Sequence, residues 1–133
     1  MIYLIDTNIC IYLMNQKPFE VIQKFKNTEI GQISISAITV SELNYGVAKS
    51  NLKKQNAKRL EEFLTPFEIL PYDEIASKYY GMIRTQLESQ GKVIGPLDML
   101  IAAHALSKDL ILVTNNEKEF LRIKSLKVEN WAQ

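Results

Sequence analysis

Three carboxylates stand in apolar surroundings, where a charge is costly unless it has a partner. Asp6 follows directly on an apolar run at positions 2–5. Glu42, in ITVSELNYG, and Asp98, in GPLDMLIAAHA, have no basic residue three or four positions away that could pair with them along a helix. A buried acid needs a cation, a base or a proton. Carboxylates without His or Cys pairs are the ligands of hard cations, so these acids predict a site for Mg²⁺ or Mn²⁺.

Two of these acids also have simpler explanations. Glu42 suits the surface of a helix, because glutamate is a good helix former. Asp98 would be the third residue of a helix that opens with Pro96, where an acid interacts favourably with the helix dipole by about 0.3–1 kcal/mol. Both explanations stay open at this point.

A fourth group of oxygen-bearing side chains lies in VTNNEKEF. Thr114, Asn115 and Asn116 can all donate oxygen ligands, and Glu119 follows one helical turn later. Capping of a short helix by Asn115 or Asn116 is the simpler explanation. Capping does not prevent these side chains from facing a site.

The elements that would position these residues alternate along the chain. Strands are predicted at 2–5, 32–36, 67–70 and 110–113, with an edge strand at 126–130. Helices are predicted at 7–15, 18–26, 37–50, 52–64, 73–91 and 95–108. This alternation predicts an α/β fold of three layers, with a mostly parallel sheet of about five strands between helices. Ligands bind at the carboxyl ends of such strands, where Asp6 and the VTNNEKEF segment both lie.

Composition limits the class of protein. The 133 residues suit a single domain, and 47% apolar with 23% charged residues is ordinary for a globular chain. Sixteen basic against 15 acidic residues argue against wholesale coating by nucleic acid but leave room for a local patch. The single cysteine, the lack of a signal peptide and the lack of a membrane span predict a cytoplasmic protein.

Four segments in order along the chain carry a resemblance to a known family. LIDTNICIYLM, ISAITVSELNYG, GPLDMLIAAHAL and LVTNNEKEF…VENW resemble the signature segments of PIN-domain ribonucleases. More narrowly, they resemble the VapC toxins of type II toxin–antitoxin pairs. The resemblance implies a PIN-like fold over residues 1–133. It also implies a Mg²⁺- or Mn²⁺-dependent endoribonuclease that cleaves structured RNA to inhibit translation, either tRNA (the initiator tRNA among them) or ribosomal RNA.

The resemblance also assigns roles to residues. It implies that Asp6, Glu42 and Asp98 bind one or two metal ions and are catalytic, and it transfers the fourth acidic place to Glu119. Many members of the family carry Asp where this chain has Asn116, which could still touch metal-bound water. The supporting polar residues that match the family are Thr7, Asn8 and Thr114.

Partners are implied in the same way. VapC-like toxins are neutralised by a VapB-type antitoxin that binds DNA, so the resemblance implies indirect DNA binding and a homodimer within a larger complex. Tyr12, Tyr45, Tyr79 and Tyr80 are candidates for the groove that would receive the antitoxin, although core packing competes for them.

The remaining notable residues have ordinary explanations. His104, Cys10 and Trp131 are predicted to be packing residues. The basic run KSNLKKQNAKR is either a solvated helix face or a surface that binds RNA phosphates. If it binds RNA, the proposed phosphate contacts are Lys49, Lys53 and Lys54.

Two other classes of function explain the acids less well. An aspartate-based phosphatase would use Asp6 as its nucleophile, but DTN lacks the second acid two residues on that such phosphatases show. A catalytically silent binding module would have to bury three unpaired acids without a metal, which is unfavourable.

Overall fold

A five-stranded parallel sheet forms the centre of the chain. The structure is a computed structural model that describes residues 1–132. The strands are β1 (Tyr3–Ile5), β2 (Ile33–Ser36), β3 (Glu68–Leu70), β4 (Ile111–Val113) and β5 (Val128–Glu129). Their order across the sheet is β3-β2-β1-β4-β5, and every neighbouring pair is parallel. The predicted α/β class and parallel sheet are confirmed.

Helices connect the strands. They are α1 (Thr7–Asn15), α2 (Phe19–Lys26), α3 (Ala37–Ala48), α4 (Lys53–Leu64), α5 (Glu74–Ser89), α6 (Pro96–Ser107) and α7 (Glu117–Phe120). A 3-10 turn at Ile30–Gln32, which the sequence did not predict, precedes β2. The fifth strand is shorter than the predicted 126–130.

Some predicted boundaries were wrong for local reasons. Phe67 lies outside β3, because its N–H closes a turn onto the Leu64 carbonyl. Pro18 precedes α2 in an extended conformation, so it is not the first helical residue. Beyond Ser89, the predicted stop at Gly91 is confirmed by its φ of +65°, a conformation that glycine adopts without strain.

The sheet separates two hydrophobic cores. Along β1, Leu4 belongs to the core beneath α5 and α6, whereas Ile5 belongs to the core beneath α1–α4. The same alternation places Leu112 and Val113 of β4 in different cores. This period of two, with helices on both faces, gives the predicted three-layer arrangement.

The carboxyl end of β1 lies at the point where the chain changes direction across the sheet. β2 and β3 extend from one side of β1, and β4 and β5 extend from the other. The backbone N–H of Asp6 donates to the Val113 carbonyl at 3.0 Å, so Asp6 stands directly beside the end of β4. Such switch points are where open α/β sheets bind ligands.

The predicted packing residues are buried. Cys10 and His104 are inaccessible, and Trp131 is 2% exposed with its ring edge against Tyr3 at 5.4 Å. Of the tyrosines proposed for a partner groove, Tyr12, Tyr79 and Tyr80 are half-buried and pack against the two cores. Core packing therefore competes with partner binding for these three.

The helices described for this chain include none that combines the length and apolar composition needed to cross a membrane.

Candidate active site

Asp6 is a buried acid at the start of a helix. Its side chain is the N-cap of α1 and accepts from the Ile9 N–H at 2.9 Å, and the residue is 5% exposed. Burial raises the pKa of its carboxyl from 3.8 to about 6, although the Thr114 hydroxyl and the Ile9 N–H oppose the rise. The nearby Asp98 and Glu42 raise this pKa further. Asp6 is thus held at a cost in free energy that a bound cation would remove.

Glu42 meets the beginning of α1. The Thr7 hydroxyl donates to Glu42 Oε1 at 2.7 Å and lies 3.5 Å from the hydroxyl of buried Thr39. Thr39 and Glu42 are three positions apart on α3 and so share a face. The Thr7 contact fixes the direction of the Glu42 carboxylate toward the end of β1.

Asp98 lies in the first turn of α6, behind Pro96, as predicted. No side chain caps this helix, because Gly95 occupies the N-cap. The carboxylate bends back over the helix start, and a Cβ at Gly95 would lie 3.7 Å from Asp98 Oδ2. Burial raises the pKa of Asp98 to about 6, with Glu119 and Glu42 adding to the rise. Asp98 therefore lies where the helix dipole favours an acid, and it also lies close to other acids of the cluster.

Glu119 is held by the asparagine that precedes its helix. Asn116 Nδ2 donates to Glu119 Oε2 at 3.0 Å, and the Asn116 backbone N–H donates to Thr114 Oγ1 at 2.9 Å. Asn116 is the N-cap of α7, but its side chain makes no capping bond. Asn116 therefore occupies the predicted capping position, but its side-chain amide orients the Glu119 carboxylate and does not bond the start of the helix.

A chain of amides closes the rim of the site. Asn8 Nδ2 donates to Asn115 Oδ1 at 3.4 Å, and Asn115 Nδ2 donates to the Tyr12 hydroxyl at 2.5 Å. These contacts join α1 to the segment after β4. The sequence suggested Tyr12 only for a partner groove, and nothing in its local sequence reveals this contact across 103 positions.

The four acids have no basic partner in the part of the chain that the structure describes. Its three ion pairs, Arg84–Glu88, Lys108–Asp73 and Lys127–Asp109, all lie elsewhere. Asp98 and Glu42 raise the pKa of Asp6, and Glu119 and Glu42 raise the pKa of Asp98, so each of these two carboxylates lies near two other acids.

The arrangement is not a closed metal cage. Within residues 1–132, no three acidic, His or Cys side chains stand as a ready-made set of ligands. The carboxylates of Asp6, Glu42 and Glu119 instead accept hydrogen bonds from protein donors. Mg²⁺ is usually held by one or two carboxylates, with water and substrate phosphates completing its shell. An all-oxygen set of separated acids fits that manner of binding.

The predicted lysines lie outside the cleft that borders Glu42. This cleft of about 210 Å³ runs between α1, α3 and α4, from Thr7 and Glu42 to Arg59. Arg59 also donates to the Met14 carbonyl at 2.6 Å. By contrast, the predicted lysines Lys49, Lys53 and Lys54 are solvent-exposed, and none of them lines the cleft.

Sequence reasoning missed two contributors to the site. Thr39 supports Thr7 beside Glu42, and the spacing of three residues to Glu42 was the available signal. Arg59 belongs to the basic run, but its local sequence does not distinguish it from the lysines there. Only the packing of α4 against α3, together with the hydrogen bonds of Arg59 to Met14 and Asn15 at the end of α1, brings Arg59 to the cleft.

The chain is similar over nearly its whole length to one protein family and to several of its members. Residues 3–126 match the PIN domain family model. The chain is 46% identical to "Ribonuclease VapC2" of Rickettsia felis and 42% identical to "tRNA(fMet)-specific endonuclease VapC" of Shigella flexneri, each over 98% of both chains. The VapBC2 crystal structure from Rickettsia felis, bound to a promoter DNA fragment, superposes with a TM-score of 0.89 at 45% identity, covering 98% of this chain and 99% of that one.

The chain belongs to the PIN-domain family and, within it, to the VapC ribonucleases. Membership of the PIN nucleases implies catalysis that depends on a divalent metal. It also sets aside the phosphatase and the silent binding module as explanations of the acids.

Proposed function

We propose that this chain is the toxin of a type II toxin–antitoxin pair and cleaves structured RNA at the acid cluster, with Mg²⁺ or Mn²⁺ as cofactor. One observation carries the proposal. Four acids, one from the N-cap of α1 and the others from α3, α6 and α7, converge at the switch point of the sheet, and no basic residue in the described chain pairs with them. Such a cluster is tolerated when a cation neutralises it.

In this proposal Asp6, Glu42 and Asp98 hold the cation. A bound Mg²⁺ or Mn²⁺ would supply Lewis-acid chemistry at the scissile phosphate. The hydroxyl of Thr7 keeps the Glu42 carboxylate directed toward the site, and the Asn116 amide does the same for Glu119. Because Asp6 and Asp98 both have pKa values of about 6, they are mostly ionised near pH 7.5 and ready to receive a cation.

A tRNA is the proposed substrate, with the initiator tRNA first and ribosomal RNA as the second candidate. Support comes from the relative in Shigella flexneri, whose name specifies tRNA(fMet), at 42% identity over 98% of both chains. Cleavage of this tRNA would stop initiation of translation. The proposal places the chain in the cytoplasm, where these RNAs act.

A VapB-type antitoxin is the proposed partner. The similar structure from Rickettsia felis is a VapBC2 complex bound to promoter DNA. By analogy this chain would form a homodimer within a toxin–antitoxin complex that contacts DNA through the antitoxin. The cleft between α1, α3 and α4 is lined by Ile11, Met14 and Val47, and Tyr45 stands 65% exposed on α3. These apolar side chains suit a partner segment.

The test is cleavage of purified tRNA in Mg²⁺, compared with hydrolysis of a small phosphate monoester. Asp98→Asn should abolish most cleavage, because it removes a charge from the cluster without changing side-chain size. Asp109→Asn is the matched control, since Asp109 is an exposed acid paired with Lys127 far from the cluster. Monoester hydrolysis without RNA cleavage, or full activity of Asp98→Asn, would contradict the proposal.

A further inference from the structure

A buried polar pair links the two helices that carry Glu42 and Asp98. Ser36 is the last residue of β2 and the N-cap of α3, where its hydroxyl accepts from the Ile38 N–H at 3.1 Å. The same oxygen lies 2.7 Å from Nδ1 of His104 on α6. Ser36 and His104 are both 0% exposed. The pair is therefore a buried contact between the start of α3 and the middle of α6.

The hydrogen bonds of Ser36 decide which nitrogen of His104 carries the proton. A serine hydroxyl has a single hydrogen to donate. Ser36 Oγ already accepts from the Ile38 N–H, and His104 Nδ1 is the other partner that the structure gives it. Nε2 of His104 is buried and has no hydrogen-bond partner among the described residues, so in either neutral form it is unpaired. With the proton on Nδ1, the buried Ser36 hydrogen would lose its acceptor as well, which is costly. The neutral form with its proton on Nε2 therefore leaves fewer buried polar groups unpaired.

The surroundings favour that neutral form. Burial lowers the pKa of His104, and Lys108 lowers it further, while Asp73 and the Pro71 backbone oppose this. Asp73 and Lys108 are paired with each other at 3.0 Å, which limits their separate effects. Tyr72 packs its ring edge against the imidazole with centroids 5.5 Å apart. His104 is thus neither a surface histidine nor a catalytic base.

Helices α3 and α6 connect the Ser36–His104 pair to two acids of the cluster. Glu42 lies six residues beyond Ser36 on α3, which is about 9 Å along the helix axis. Asp98 lies the same number of residues before His104 on α6. A shift or rotation at the start of α3 therefore displaces the Glu42 carboxylate relative to Asp98.

We propose that His104 is a positioning residue for the nuclease: as the neutral Nε2–H form, it accepts from Ser36, fixes the cap of α3, and so sets Glu42 against Asp98. This role rests on the proposed function, because it concerns the geometry of the same acid cluster. Outer residues that orient metal ligands typically contribute about 10–100-fold to activity or metal affinity.

Three variants test the link. His104→Leu keeps the apolar volume but removes the acceptor, whereas His104→Asn keeps an oxygen acceptor near the place of Nδ1. Ser36→Ala removes the hydroxyl, and Ser34→Ala is its matched control. Ser34 is a buried serine on the same face of β2, but its hydroxyl donates to the Tyr3 carbonyl and not to a helix that carries an acid.

We expect His104→Leu and Ser36→Ala to lower kcat on RNA by about 10–100-fold with KM little changed. His104→Asn and Ser34→Ala should stay close to the wild type. The double variant Ser36→Ala/His104→Leu should have about the same kcat as either single variant, because the same hydrogen bond is lost in each case. Circular dichroism confirms that each variant is folded. Wild-type kcat in folded His104→Leu, or an equal decrease in His104→Asn, would overturn the proposal.

Two further measurements do not depend on RNA cleavage. His104 is the only histidine of the chain, so a ¹H–¹⁵N correlation spectrum reports its protonation without ambiguity. A proton on Nδ1 would overturn the proposal. Mn²⁺ affinity, measured by electron paramagnetic resonance, should fall by about 10-fold in His104→Leu and not in His104→Asn. If the wild-type chain cleaves no RNA, the proposed function fails, and these affinities still decide the role of His104.

Discussion

Asp6→Asn should stabilise the metal-free chain at neutral pH while abolishing cleavage. The folded state raises the pKa of Asp6 from 3.8 to about 6. At about 1.36 kcal/mol per pKa unit, ionised Asp6 costs the folded state about 3 kcal/mol when the pH is above both values. Asn is an equally good N-cap and can still accept from the Ile9 N–H. Its buried amide hydrogens cost about 1 kcal/mol, which leaves a net gain of about 2 kcal/mol.

The stability advantage of Asp6→Asn over the wild type should increase as the pH rises. The folded state binds the Asp6 proton more tightly than the unfolded state, so raising the pH favours unfolding between about 3.8 and about 6. Below pH 3.8 both states are protonated and the cost disappears. Well above both pKa values the cost is constant. The advantage of Asp6→Asn over the wild type should therefore grow from about pH 3.5 to about pH 7 and then level off.

Thermal and urea unfolding in EDTA measure this difference. At about 3 °C per kcal/mol for a chain of this length, Asp6→Asn should melt about 6 °C above the wild type near pH 7.5. Saturating Mg²⁺ should raise the Tm of the wild type and leave that of the variant nearly unchanged. Asp109→Asn is the control for removal of an exposed acid. A variant that is less stable than the wild type at neutral pH, or whose advantage does not change with pH, would refute a costly buried charge at this position.

Three further predictions concern RNA cleavage and RNA binding. Chelation by EDTA should stop RNA cleavage and added Mn²⁺ should restore it, as measured on a purified tRNA; activity in chelator would exclude a metal-dependent mechanism. Glu119→Gln should reduce the cleavage rate less than Glu42→Gln, because Glu42 is one of the three acids proposed to hold the cation and Glu119 is not. Single-turnover rates would show the reverse order if Glu119 were the principal ligand. Changing Lys49, Lys53 and Lys54 to Ala should flatten the salt dependence of RNA binding, by about 0.7 in the log–log slope for each phosphate that a lysine no longer neutralises. An unchanged slope in Ca²⁺ would identify these lysines as a solvated helix face.

Periodicity and turn chemistry were sufficient to predict the order of the main elements. Alternating apolar strands and amphipathic helices allow few arrangements other than a parallel sheet between helices. Ends were less predictable, because they depend on contacts that are distant in sequence. The fifth strand pairs only Val128 and Glu129 with β4, and no local signal marks so short a pairing.

The acids were predictable because they contradict their surroundings. Asp6 and Asp98 are charges in apolar segments, and this mismatch is visible without a structure. Their supports were not visible. Thr7 reaches Glu42 across 35 positions, and His104 reaches Ser36 across 68. A histidine among alanines looks like simple core packing, and only the fold shows that its Nδ1 meets the cap of another helix.

The position of the acids between two separate cores has a consequence for motion. Asp6 and Glu42 belong to elements that pack on the core beneath α1–α4, whereas Asp98 and Glu119 belong to elements that pack on the core beneath α5 and α6. A cation shared among them would add a further link between two layers that meet through the sheet and through the Ser36–His104 contact of α3 with α6. Metal binding should then suppress partial opening of either layer, so amide hydrogens of α1 and of α5 should exchange more slowly together when Mg²⁺ is added.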